Sequence, residues 1–259
     1  PRNDNWWANM PALCAVRDWG AATGDVRVVP FLRRYFRHQF DRLRTHPLMS
    51  DSYWAAARAG DNMEVVLWLE RKTGEEWLTA LADLLATQSA DWETYYRRGG
   101  DGGGQFGFRQ HIVNFMQGLK EPALAWSIGH AGSAGIKAYS AAFDPNGWAM
   151  RQHGRVDRML NGTELLAGRE ACQGTELCAT AERILSCQSV LATCGWFSAG
   201  LTEADDLESV AYNTLPSTLA DDGKGVRYYH LLNMPRCSAS TKLGFENNGD
   251  GGAVVPGPD

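Results

Sequence analysis

The chain has no Cys-x-x-Cys pair and almost no strand-like alternation, and no apolar run approaches the roughly 20 residues needed to cross a bilayer. Missing too are a Gly-x-Gly-x-x-Gly turn, a P-loop, an HExxH pair and a Gly-x-Ser-x-Gly elbow. These absences argue against nucleotide-cofactor and serine-hydrolase chemistry and against a membrane partner. Six cysteines (Cys14, Cys172, Cys178, Cys187, Cys194 and Cys237) are too sparse for a disulfide scaffold, and an even count permits bridges without implying them. The net charge of -5 offers no electrostatic reason to bind nucleic acid or acidic lipid. The local basic run Arg33, Arg34, Arg37, Arg42 and Arg44 reads as a solvated helix face.

What the chain does have is helical periodicity and aromatic rings. Apolar residues make up 44% and charged residues 21% of the 259 residues, enough for a sizeable core. Ten tryptophans and eight tyrosines suit a carbohydrate site, and large helical cores use them as well. Pro11 to Ala22 reads as a helix with proline in its first turn. After Thr23-Gly-Asp25, the run VVPFLRRYFRHQFDRL places Val29, Leu32, Phe36, Phe40 and Leu43 at three- and four-residue spacing. The pattern returns fifty residues on: Met63, Val66 and Leu67, then Thr73-Gly-Glu75, then Trp77, Leu81, Leu84 and Leu85. A Thr-Gly-acid triplet between helices predicts a left-handed glycine closing one helix and an acidic start to the next. Arg109 to Leu119, Glu121 to His130, Asp205 to Tyr212 and Arg227 to Leu232 also read as helices, with a strand only near Ala253 to Val255. The expected fold is all-α, one helical domain over residues 1–259, with an (α/α) toroid or solenoid ahead of any α/β fold.

The chemistry concentrates in Gly154 to Cys178, GRVDRMLNGTELLAGREACQGTELC, where Glu164, Glu170, Glu176 and Cys178 alternate with glycines and apolar residues. Thr175 is a good N-cap, which puts Glu176 and Cys178 in a first turn where amides and dipole favour anions. Two residues apart on a regular helix they diverge by about 200°, so joint metal binding needs an irregular start. Glu164, flanked by Leu165 and Leu166, is placed for the partial desolvation that makes a general acid. His153 after a turn and His111 near Asn114 are candidates for sugar hydroxyls, or for capping and packing. Trp54, with Arg58 and Asp61-Asn62, offers an aromatic face beside an Arg-Asp pair; helix-end capping explains that cluster as well.

The segments WAAARAGDNMEVVLWLERKTG, HGRVDRMLNGTELLAG, QGTELCATAERILSC, LESVAYNTLP and YYHLLNMP, in this order, resemble the beta-L-arabinofuranosidase-like proteins, glycoside hydrolase family 127 and its relatives. The resemblance runs from about residue 12 to Asp259 and implies an (α/α)6 barrel, usually followed by β-sandwich domains. It implies an exo-acting, retaining glycosidase on non-reducing-end beta-L-arabinofuranosides or related sugars, using zinc and a cysteine nucleophile. Glu164 matches the general acid/base, Glu176 and Cys178 match two zinc ligands, and His111 and His153 fall in segments that line the substrate pocket. The family's adjacent cysteine pair, one of them the nucleophile, is expected just past PGPD, so the chain reads as a catalytic-domain fragment without its nucleophile; Cys237 is not assigned that role. The competing class is a non-catalytic sugar-binding or scaffold protein that uses Trp54, Trp68 or Trp148 and carries no zinc.

Overall fold

The computed structural model describes residues 5–98, 111–133, 135–144, 146, 175–194, 202–227, 229–230 and 254–256. They are mostly helical, as the periodicity predicts. The helices are α1 (Trp6–Thr23), α2 (Val28–Leu43), α3 (Leu48–Asp51), α4 (Tyr53–Ala57), α5 (Ala59–Thr73) and α6 (Glu76–Gln88). They continue with α7 (Trp92–Arg98), α8 (Ile112–Gly118), α9 (Glu121–Ser127), α10 (Ile136–Ala142), α11 (Leu177–Cys194) and α12 (Thr202–Ser209). Strands β1 (Thr175–Glu176) and β3 (Tyr229–His230) pair antiparallel, as do β2 (Gly225–Arg227) and β4 (Val254–Pro256).

The two Thr-Gly-acid joints are built alike. Gly24 and Gly74 take left-handed φ values of 70° and 67°, and their amides close back on Gly20 and Glu70. In each, the threonine hydroxyl donates to the carbonyl four residues back, Thr23 to Trp19 and Thr73 to Leu69. Each hydroxyl oxygen then accepts from the amide of the acid that follows, Asp25 or Glu75. The acids serve different ends: Asp25 caps the Arg27 amide, whereas Glu75 reaches Arg33 on α2 through two bonds of 2.8 and 2.5 Å. The same triplet therefore makes two helical hairpins and ties one to the other. The basic face of α2 is largely engaged: Arg37 stacks over Trp77 at 3.8 Å and Arg44 over Phe40 at 5.4 Å.

Packing follows from the buried stripes. On α2 the fully covered set is Val28, Leu32, Phe36, Gln39 and Leu43; Val29 and Phe40 sit half-buried at its margin. One core joins α1, α2, α5 and α6; a second joins α7, α8, α10 and α11 around Trp92, Tyr95, Tyr96 and Phe115. Helices α1, α5, α8–α9 and α11 contact one another in sequence, α2 and α6 flank α5, and α7 and α10 lie against α9. Every residue of α8 is buried. Gly118 ends it against the Trp92 indole, whose N–H is anchored on the Ala57 carbonyl at 2.9 Å.

Three local expectations need correcting. Helix α1 starts at Trp6, not Pro11, because the Asn5 side chain accepts from the Ala8 amide and caps the chain earlier; Pro11 lies inside the helix. Thr175 is not an N-cap: pairing with His230 makes it extended, and α11 begins at Leu177. Arg227 to Leu232 is not helical where it is described, since Gly225–Arg227 and Tyr229–His230 are both strands. In the last two cases a partner distant in sequence decided the backbone, which periodicity cannot register.

Candidate functional site

Trp54 sits on α4, half-buried, with its ring 5.9 Å from Trp7 and 5.6 Å, edge-on, from His111. The guanidinium of Arg58 lies over Trp54 at 4.6 Å and faces Trp7 at 5.5 Å. Arg58 is fixed at its other side, where Nε donates to Asn114 Oδ1 at 2.9 Å. The tryptophan plane is therefore held by a cation whose own position is set by a fully buried amide on α8.

His111 leads into α8, and its Nε2 lies 3.9 Å from Glu176 Oε2. That is too long for a hydrogen bond and within reach of an ion pair once the imidazole is protonated. Glu176 is 3% exposed. It is positioned by the β1–β3 pairing, and the chain turns into α11 directly after it, which brings half-buried Cys178 into the first turn. This is the irregular start that a shared site for the two residues requires. Trp54, His111 and Glu176 thus come together from three elements, with Arg58 electrostatically coupled to both Glu176 and Cys178. Glu164 and His153, the other two predicted site residues, lie outside the described residues.

Beneath this cluster is a buried charge network that sequence reading missed. Lys120 Nζ, 2% exposed, sits 2.5 Å from Asp61 Oδ1 and 4.0 Å from Glu64 Oε2. Asp61 Oδ2 accepts from Gln117 Nε2 at 2.7 Å, so Asp61 does not form the pair with Arg58 that their proximity in sequence suggested. Glu182 on α11 has a buried oxygen without a hydrogen-bond partner among the described residues. Burial pushes the Glu182 carboxyl up to about 7; Lys120 and Arg58 pull against that, and Asp61 and Glu64 add to it. Arg58 is lowered from its ordinary value, first by burial, with Asp61, Glu182, Cys178 and Glu176 opposing. A readable signal existed. Cys178 and Glu182 are four apart on one helix face, and Asn114, Gln117 and Lys120 recur at three-residue spacing through an otherwise apolar run.

Carboxylate, thiol and imidazole are ordinary donors for zinc, so the chemistry of Glu176, Cys178 and His111 suits that ion. Among the described residues, however, no group of three His, Cys, Asp or Glu side chains is placed to hold a metal. No protein-family model matches this sequence, and no curated protein matches it.

Proposed function

We propose that the chain carries the site of a glycoside hydrolase, exo-acting and retaining, on beta-L-arabinofuranosides or related sugars. The observation that supports this best is the convergence of an aromatic face, a fixed cation, an imidazole and a buried carboxylate: Trp54, Arg58, His111 and Glu176. An aromatic plane stacks on the apolar face of a sugar ring, while the polar groups bond its hydroxyls and orient it. Arg58 holds that plane, and His111 stands between the plane and Glu176. Glu176 and Cys178 are the described residues that would hold zinc. Bound zinc supplies the positive charge that keeps a coordinated thiol deprotonated at neutral pH. Glu164 keeps the general acid/base role that the resemblance gives it, protonating the departing oxygen and later taking a proton from water.

The (α/α)6 toroid belongs to the same proposal. It is supported by the layering, in which α1, α5, α8–α9 and α11 form an inner succession and α2 and α6 flank it. The function is tested by titrating the chain with L-arabinose while following tryptophan fluorescence and the sugar's proton resonances. Saturable binding lost in Trp54→Ala and weakened in His111→Ala supports the reading. Absence of binding, or equal binding by the Trp54→Ala variant, contradicts it.

A further inference from the structure

A cavity of about 560 Å³ opens where the end of α6, the start of α7, the start of α9 and the loop at residues 130–133 meet. Its volume is that of a small-molecule pocket. Its base is apolar, made by Ala86, Ala90, Trp92 and Ala125. Its charged lining is acidic: Asp91, Glu93 and Glu121, with no lysine or arginine among the described lining residues. His130, the basic group there, already bonds Asp83 through Nδ1 at 2.7 Å.

Glu121 is the telling residue. It is 7% exposed and lines the cavity, and its carboxylate has no hydrogen bond or ion pair among the described residues. Buried carboxylates ordinarily have such partners, so one without them beside a cavity is placed to take water or a ligand. Asp91 uses one oxygen to cap the Thr94 amide at 3.0 Å, and Glu93 meets the half-exposed Arg97 at 3.1 Å. Neither relieves Glu121. The cluster does not amount to a metal site, because no three such groups among the described residues are placed to share an ion. A larger cation with an apolar body matches the acidic wall and the apolar floor together.

We propose that this cavity binds a small aliphatic amine, its ammonium seated between the carboxylates of Glu121 and Asp91 and its carbon chain lying over Ala86, Ala90 and Ala125. Protonation is linked to this binding. Burial first, then the like charges of Asp91 and Glu93, push the Glu121 carboxyl up to about 8. The groups facing it are those two acids and the Tyr96 phenol from α7, together with His130 from the loop; the neighbouring Lys120 is turned to Asp61. An arriving ammonium favours the carboxylate, so binding expels a proton below pH 8 and tightens as pH rises toward it.

The test is calorimetric titration of the whole chain with 1,4-diaminobutane, with 1,4-butanediol as the neutral analogue. The expected result is saturable binding of the diamine alone, with proton release seen as a dependence of the heat on the buffer's ionisation enthalpy. Glu121→Gln should weaken it about tenfold or more. Asp91→Asn, which keeps the helix cap and removes the charge, should weaken it too, whereas Glu208→Gln at an exposed position on α12 should not. No saturable binding, or equal losses in all three variants, overturns the proposal; equal losses would mean general attraction to an acidic surface.

Discussion

Replacing Lys120 with methionine tests whether the buried charge network holds the helices beneath the site together. The ammonium is nearly sealed from water, 2.5 Å from Asp61 and 4.0 Å from Glu64, with Glu182 also attracted to it. Methionine keeps much of the volume and removes the charge, leaving Asp61 and its acidic neighbours without their main cation. Breaking a buried pair at one partner costs about 3–5 kcal/mol. Gln117 still satisfies one Asp61 oxygen, so the lower end of that range, about 3 kcal/mol, is expected here. Adding Asp61→Asn removes the stranded charge yet keeps an acceptor for Gln117, and should restore about half of the loss or more. Urea unfolding followed by circular dichroism reads both values, provided the m-value is unchanged. A loss below about 1 kcal/mol in Lys120→Met, or a double variant no more stable than the single one, refutes the reasoning.

Two more predictions concern the same end of the molecule. Glu121 titrates near 4.5 in the unfolded chain and at about 8 in the fold, so between those values the folded state keeps a proton that the unfolded state has released. Stability therefore falls as pH rises through that window, and Glu121→Gln, which cannot ionise, should exceed the parent by up to about 4 kcal/mol at pH 8 and match it near pH 4.5. Parallel thermal melts across this range check the crossing; a constant offset at all pH values would contradict it. Gly118→Ala should lower stability by about 1–3 kcal/mol, because the new methyl group meets the Trp92 ring, itself pinned to Ala57. An unchanged melting temperature would mean that the indole can move aside.

Local chemistry was legible in the sequence, and long-range pairing was not. The joints at Gly24 and Gly74 could be read because glycine's freedom at positive φ and a threonine hydroxyl act within five residues. The stripe Leu32, Phe36 and Leu43 was readable for the same reason, since a helix fixes its own faces. The N-cap role of Thr175 failed because its partner, His230, lies 55 residues on and the strand so formed overrides a local preference. Asp61 was read with Arg58, three residues away, whereas the structure gives it Gln117 from α8 and Lys120 from the turn after it. Of the site, Trp54, His111 and Glu176 were named from their types and neighbours. Their meeting depends on α4, α8 and β1 converging, which no spacing encodes.

The measurement that bears most directly on the central claim is zinc affinity, by competition with a chromophoric chelator, for the full-length protein and its Glu176→Gln and Cys178→Ser variants. The account predicts one zinc site, weakened about tenfold or more by either substitution, with helical content unchanged. No zinc binding by the full-length protein, or equal binding by all three proteins, would contradict it.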